Sequence, residues 1–195
     1  MRLFYASFLA PENMSAYESL VGRLRTEVPQ ALRPIPARTH HLTLAFLGEM
    51  ADDDTDKCLQ VLDSLPSTTT ASFSLGQPRI LYGRGQPRLI CTDLVEGAEH
   101  VSALQELLRA ELRQALPALS VRPKPPHVTL ARFNRKANRQ TGRKVEEALS
   151  RHDGLEESRT DHLVSVQLVK SSLTPNGPIY ESLGTATLPG MEPSD

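Results

Sequence analysis

The sequence of 195 residues contains no tryptophan, only two cysteines and few aromatic side chains, which make up 5% of the chain. Cys58 and Cys91 lie far apart and in no spacing that binds a metal, so we expect reduced thiols in a cytoplasmic protein. The apolar stretch within residues 1–12 is too short to span a membrane and lacks the cleavage pattern of a signal peptide. The composition therefore argues against a disulfide scaffold, and we expect no membrane partner.

Neither sign of charge dominates the chain, whose formal net charge is −1. This balance gives no general attraction to nucleic acids or membranes. One segment differs, because residues 122–144 contain eight basic residues and no aspartate or glutamate. Such a run is either a solvated face or a track for a nucleic-acid backbone, and both interpretations stay open here. The basic residues are Arg122, Lys124, Arg132, Arg135, Lys136, Arg139, Arg143 and Lys144.

Apolar periodicity predicts an α+β protein in which helices alternate with strands able to form antiparallel hairpins. The predicted strands cover 2–10, 71–82, 87–95, 162–173 and 178–188, besides two strands described below. The predicted helices cover 12–27, 52–65, 98–116 and 137–150.

The order strand, helix, proline-rich connector, strand, helix, strand occurs twice along the chain. Its two central strands contain His41 and His127, which are 86 residues apart. A matched order of elements indicates an internal duplication. We therefore expect a single bilobal domain over residues 1–195, built as a repeat of about 1–86 and 87–188, with 189–195 as a flexible tail.

The stretches HHLTLAFLGE and PPHVTLARF each place a histidine and a threonine two residues apart within an apolar run. Residues i and i+2 of a strand share a face. His41 and Thr43 therefore project together, as do His127 and Thr129, while the apolar residues between them anchor each strand. If a pseudo-two-fold axis relates the two halves, the polar faces meet across one cleft.

Two histidines on opposite sides of a cleft suit in-line displacement at phosphorus, which needs a base on the attacking oxygen and an acid on the leaving oxygen. Histidine can fill either role, because its unperturbed pKa is about 6.5. Thr43 and Thr129 can donate to the non-bridging oxygens as negative charge grows there. Arg132 suits phosphate binding or base stacking. Strand alternation places Arg132 on the face opposite to His127, so a phosphate role requires a bend in the strand.

A single histidine on an apolar strand is most often a structural core residue, but two matched pairs favour a function. We assign no catalytic role to His40, which faces away from His41, or to His100, His152 and His162. A zinc site is disfavoured, because neither motif contains an HxxxH spacing, a cysteine or a carboxylate. The alternative to an enzyme is a module that binds a nucleotide or RNA without turnover. An acid and a base in opposition favour the enzyme.

The motifs HLTL and HVTL, which begin at His41 and His127, match the H-x-[ST]-x pattern of the two-histidine (2H) phosphoesterase superfamily. Together with RLFYASFLAP, PHVTLAR and SSLTPNGPIYESL, they resemble the RNA 2′,3′-cyclic phosphodiesterases of bacteria and archaea, historically called 2′-5′ RNA ligases. The similarity extends over almost the whole chain. It implies two pseudo-symmetric lobes with antiparallel-rich sheets and flanking helices, and an active site in the central cleft.

The resemblance implies a reaction without metal or cofactor, in which water opens a 2′,3′-cyclic phosphate and leaves a 2′-phosphate. It implies that His41 is the general acid that protonates the departing O3′ and that His127 is the general base. Thr43, Thr129 and Arg132 would bind the phosphate. Relatives can also join RNA ends through 2′-5′ linkages without ATP.

The expected partners are RNA with 2′,3′-cyclic phosphate ends or small cyclic nucleotides, and we expect a monomer. Another cyclic phosphate or a 2′-5′ oligonucleotide is a further possible substrate, but the basic segment favours RNA.

The scarcity of aromatic residues leaves open which ring stacks on the terminal nucleoside. Phe46, Phe133 and Tyr5 are the candidates.

Overall fold

The computed structural model of the chain describes residues 1–65, 72–152, 160–174 and 177–188. Within these ranges, nine β-strands and four α-helices follow one another. The strands are β1 (Arg2–Phe8), β2 (Leu32–Pro34), β3 (His41–Glu49), β4 (Ser72–Gly83), β5 (Gln86–Glu96), β6 (His127–Phe133), β7 (Asp161–His162), β8 (Ser165–Thr174) and β9 (Gly177–Thr187). The helices are α1 (Ser15–Glu27), α2 (Asp52–Asp63), α3 (Ala98–Ala115) and α4 (Arg139–Ser150).

The strands form an antiparallel sheet in the order β7-β4-β5-β6-β3-β1-β8-β9, with β2 paired to the far end of β6. At its centre, β3 and β6 are joined through the register pair Leu42 and Val128. The sheet therefore consists of two wings that meet at this short junction. We call β7-β4-β5-β6 with β2 the β6 wing, and β3-β1-β8-β9 the β3 wing. The curled sheet and its four helices confirm the predicted α+β bilobal fold, with the cleft between the wings.

Helices α1 and α4 pack on the β6 wing, and helices α2 and α3 pack on the β3 wing. Their apolar stripes bury the main core against the sheet. Each helix supplies a leucine or valine that is at most 1% exposed, namely Leu24, Leu62, Leu108 and Val145. Each wing thus carries helices from both the first and the second half of the chain, because the chain crosses repeatedly between the wings.

The predicted helices and strands are confirmed, although their ends shift by a few residues. A 3-10 turn over Pro11–Met14 precedes α1. Helix α4 begins at Arg139 because the Asn138 side chain accepts a hydrogen bond from the Thr141 amide at 3.0 Å, as an N-cap does. The predicted turn 174–177 lies partly, and the predicted tail 189–195 entirely, outside the described residues.

Two strands were not predicted as separate elements. The stretch predicted as one strand over 162–173 is divided into β7, which pairs with β4, and β8, which pairs with β1. The first proline-rich connector contributes β2, which pairs with β6 from Leu32 opposite Phe133 to Pro34 opposite Ala131. A proline lacks an amide hydrogen, and it is tolerated here because it ends a short edge strand. The connector therefore attaches the first half of the chain to the β6 wing directly before β3 begins.

Both cysteines behave as expected of reduced thiols. Cys58 and Cys91 are free and buried, and burial raises the pKa of each thiol. In the part of the chain that the structure describes, no helix is long and apolar enough to cross a membrane.

Candidate active site

The two histidine–threonine pairs meet at the junction of the wings. Because Leu42 lies opposite Val128 in antiparallel strands, His41 lies level with Thr129, and Thr43 lies level with His127. Leu42 and Val128 are 0% exposed and point into the core, whereas the histidines and threonines are half-buried on the opposite face. The structure thus brings both predicted pairs to one place, each histidine beside the threonine of the other motif.

Each catalytic candidate is held by a backbone carbonyl two residues before it. His41 Nδ1 lies 2.7 Å from the Thr39 carbonyl oxygen, and His127 Nδ1 lies 2.9 Å from that of Pro125. A carbonyl oxygen can only accept a hydrogen bond, so Nδ1 carries the hydrogen in both rings. Nε2 is then the nitrogen of each neutral ring that is available to take up a proton.

His41 lies in an aromatic pocket. The ring centroids of Phe4, Phe8 and Tyr180 are 5.3, 5.4 and 5.5 Å from that of His41. Burial is the main reason why the pKa of His41 is lowered, and the carbonyl of Thr39 acts in the opposite direction. The neutral imidazole is therefore favoured in the free protein.

Electrostatic effects from the other wing add to this shift in the pKa of His41. Arg132 and His127 each lower the pKa of His41 through electrostatic repulsion. Arg132 also lowers the pKa of Tyr180, against the larger opposite effect of burial. Arg132 and His127, which belong to the β6 wing, are thus close enough to act on side chains of the β3 wing.

A β-bulge brings Arg132 to the site. In the pairing of β5 with β6, Leu130 is an extra residue between Thr129 and Ala131, and it reverses the alternation of the strand. Leu130 and Ala131 are therefore both buried, 1% and 0% exposed, and Arg132 emerges on the face of His127 and Thr129. The expectation from strict alternation, that Arg132 faces away from His127, is wrong, because the bulge supplies the required bend.

A matching bulge lies in β3. Leu44 is the extra residue there. Phe46 projects from β3 at the position that corresponds to Arg132 in β6. The guanidinium carbon of Arg2 lies 4.9 Å, and Nζ of Lys124 5.7 Å, from the centroid of the Phe46 ring. The site therefore has an arginine at one end and an aromatic ring flanked by two cations at the other.

The three residues predicted to stack on the terminal nucleoside differ in whether their rings are buried. Tyr5 is 0% exposed and its hydroxyl donates to the Cys58 carbonyl at 2.6 Å, so it is a core residue. Phe133 is also a core residue, with 6% of its surface exposed. Both are wrong as stacking candidates, and Phe46 alone of the three lies on the open face. Tyr180, which contacts His41, was not among the predicted residues, although it lies in the YESL stretch that supports the resemblance.

The basic segment 122–144 does not form one continuous face. Lys124 lies over Phe46, and Arg132 lies beside the histidines. Arg139, in contrast, donates from Nε to the Gly85 carbonyl at 2.9 Å, in the turn between β4 and β5. The segment therefore supplies two cations to the cleft, while another stabilises the fold elsewhere.

His40 faces away from the cleft, as predicted. It is 2% exposed and borders a cavity of ≈100 Å³ that is also lined by Tyr17, Gly22 and Leu130. Among the residues that the structure describes, neither ring nitrogen has a hydrogen-bond partner in good geometry. Burial, as the main cause, lowers the pKa of His40 to about 4, with a smaller contribution from His41, and the nearby Leu130 carbonyl opposes the shift.

A sequence model described as the 2′-5′ RNA ligase superfamily matches residues 10–170. The chain belongs to this superfamily. The resemblance to the two-histidine phosphoesterases is thereby confirmed, and the protein is an enzyme, a hydrolase that acts on phosphodiester bonds. It is 31% identical over 206 residues to an RNA 2′,3′-cyclic phosphodiesterase of Thermus thermophilus, an alignment that covers 97% of this chain and 91% of the relative.

Solved structures show the same fold. A crystal structure of a Thermus thermophilus protein matches with a TM-score of 0.71 and 28% identity, over 98% of this chain and 100% of that one. The apo form of Escherichia coli LigT matches with a TM-score of 0.66 and 23% identity, over 96% of each chain. These two solved structures thus share this chain's architecture over nearly its full length.

Proposed function

We propose that the protein hydrolyses the 2′,3′-cyclic phosphate at an RNA end to a 2′-phosphate. The observation that carries the proposal is the placement of His41 and His127 on one open face, each with Nδ1 bound to a carbonyl and Nε2 free for proton transfer. The name of the Thermus relative supports RNA as the substrate class. The proposed reaction uses residues of one chain alone, and the proposal includes a monomeric enzyme.

In the proposed reaction, His127 Nε2 removes a proton from water as the water oxygen bonds to phosphorus. The bond from phosphorus to O3′ breaks, and O3′ takes the proton carried by His41 Nε2. The phosphate stays on O2′, and a proton passes from His127 to His41 through solvent before the next turnover. Thr43, Thr129 and the Arg132 guanidinium donate to the non-bridging oxygens, where negative charge increases in the transition state.

The lowered pKa of His41 is compatible with the role of general acid, provided that the bound substrate raises this pKa. A general acid has to be protonated, whereas burial favours the neutral ring in the free enzyme. The phosphodiester is an anion, and an opposite charge within about 4–6 Å raises the pKa of a histidine. His41 therefore takes up its proton when the cyclic phosphate binds.

The two proton transfers and the charge stabilisation are all assigned to side chains, so the proposal requires no metal and no other cofactor. It also allows the joining reaction for which the superfamily is named. The 5′-hydroxyl of a second RNA then replaces water, bonds to phosphorus and expels O3′. The product is a 2′-5′ phosphodiester, formed without ATP because the cyclic phosphate supplies the reactive bond.

The test is incubation of the purified protein in EDTA with a short RNA that ends in a 2′,3′-cyclic phosphate, followed by identification of the products. A 2′-phosphate end is expected, and His127→Asn should not form it. A 3′-phosphate end would contradict the leaving group assigned here. Tight binding of a 2′-nucleotide without turnover would instead identify a non-catalytic binding module.

A further inference from the structure

Arg33 and Arg132 lie directly opposite each other on neighbouring strands. In the pairing of β2 with β6, Arg33 is level with Arg132, while Leu32 is level with Phe133. Leu32 and Phe133 are buried in the core, 4% and 6% exposed, so the two arginines project together from the other face. Both arginines are exposed on that face, which is the face of His127.

Without a bound anion, the close approach of Arg33 and Arg132 is electrostatically unfavourable. Side chains directly opposite on antiparallel strands have Cβ atoms about 5 Å apart, and like charges at that distance repel. Across the described ranges of the chain, no carboxylate forms an ion pair with either arginine. Two adjacent guanidinium groups that lack a protein counter-ion form a site suited to phosphate.

The backbone fixes Arg33 in this position. The Ile35 amide donates to the Leu130 carbonyl at 2.9 Å, and the Asn134 amide donates to the Ala31 carbonyl at 2.9 Å. These bonds secure the connector on both sides of Arg33. The guanidinium is therefore carried by a rigid strand, and little backbone entropy is lost when it binds a ligand.

We propose that Arg33 binds the internucleotide phosphate on the 5′ side of the terminal nucleoside. The inference rests on the proposed function, in which Thr43, Thr129 and Arg132 hold the cyclic phosphate. Arg33 lies beside Arg132 on the edge of β6 that also pairs with β3, at the end of β6 that is away from His127. An RNA end offers a second anion next to its cyclic phosphate, whereas a mononucleoside 2′,3′-cyclic phosphate does not. Arg33 therefore determines a preference for oligonucleotides.

The test uses a dinucleotide that ends in a 2′,3′-cyclic phosphate, and a second dinucleotide in which an uncharged methylphosphonate replaces the internucleotide phosphate. For the wild-type protein, neutralising this group should lower kcat/KM about tenfold, as expected for the loss of one charge-assisted hydrogen bond. In Arg33→Ala the two substrates should give similar kcat/KM. Arg33→Lys should retain part of the difference, and Arg23→Ala, on an exposed position of α1, should retain all of it.

The dependence of kcat/KM on salt concentration gives a second measurement. The slope of log kcat/KM against log salt concentration on the natural dinucleotide should become shallower by about 0.7 in Arg33→Ala, for one lost phosphate contact on a single strand. An equal tenfold difference between the two substrates in wild type and Arg33→Ala would overturn the inference. A wild-type protein that opens neither cyclic phosphate would instead overturn the proposed function, so the two failures are distinct.

Discussion

Leu42 and Val128 lie opposite each other across the central junction, and this register pair sets the relation between the two motifs. A strand that slipped by one residue would turn its histidine and threonine into the core, since side chains alternate between faces. Burial of Leu42 and Val128 therefore fixes the register of the proposed catalytic residues. The hydrophobic core and the chemistry of the site depend on the same two side chains.

The first prediction concerns the two histidines. His41→Asn and His127→Asn should each lower kcat by about 10²–10⁴-fold, because each removes one proton transfer. The double variant should be little slower than either single variant, since acid and base act as a unit. Steady-state kinetics on a cyclic phosphate RNA measures this, with the exposed His100→Asn as the control. Losses that multiply in the double variant would mean that the two rings act independently.

The second prediction concerns pH. Burial lowers the pKa of His41, and Phe8→Ala should admit water beside the ring and raise that pKa towards the usual value of about 6.5. A general acid loses its proton, and therefore its ability to act, as the pH rises through its pKa. The alkaline limb of kcat/KM should therefore move to higher pH in Phe8→Ala.

NMR titration of the His41 ring in the wild-type protein and in Phe8→Ala measures the change in pKa directly. Tyr82→Ala, on a ring that is 40% exposed, serves as the control and should leave the limb in place. A limb that stays fixed in Phe8→Ala while the His41 resonance shifts would show that another group is the acid.

The third prediction concerns the bulge. Arg132→Gln should lower kcat about 10²–10³-fold, because it removes a donor aimed at the charge that develops on phosphate. Arg132→Lys should restore only part of the rate, since an ammonium group cannot form the planar fork of a guanidinium. Arg135→Gln removes an exposed charge of the same basic segment just beyond β6 and should retain the rate. Similar losses in both glutamine variants would assign the effect to the general charge of the segment.

The fourth prediction concerns stability. His40 has a pKa of about 4 in the folded protein, against about 6.5 for an unfolded chain. Below pH 6.5 the unfolded state binds the additional proton, so the free energy of unfolding falls as pH falls towards 4. The contribution of His40 between pH 7 and pH 5 is about 2 kcal/mol.

Urea unfolding at pH 7 and pH 5 checks this contribution. His40→Leu should lose less stability on acidification than the wild-type protein does, and His100→Leu should match the wild type. Using the difference between the two pH values cancels any constant effect of the substitution. An identical pH dependence in His40→Leu and wild type would show that His40 does not titrate in this way.

Much of the site could be predicted from the sequence, because strand alternation places His41 with Thr43 and His127 with Thr129. The orientation of Arg132 could not be obtained from that rule alone. Its signal was nevertheless present, since the buried positions of β6 change from even to odd numbers between Leu130 and Ala131. A break of this kind in the apolar alternation is what a bulge produces.

Other features needed the tertiary structure. Strand β2 is three residues long and ends in proline, so its local propensity favours a connector, and only its pairing with β6 makes it a strand. Tyr180 reaches His41 because β9 follows β8 beside β1. That neighbourhood joins the two ends of the chain, and no local pattern reports it.

The place of the last strands in the sheet has a consequence for synthesis on the ribosome. β1 is synthesised well before its partner β8 and the outer strand β9. A nascent chain that has released β6 already contains His41 and His127. It nevertheless presents β1 as an unprotected edge, and the rings of Phe4 and Phe8 stay uncovered until Tyr180 is synthesised. Such an edge invites pairing with other chains. Truncation before β8 should therefore yield an aggregating product and not a smaller active enzyme.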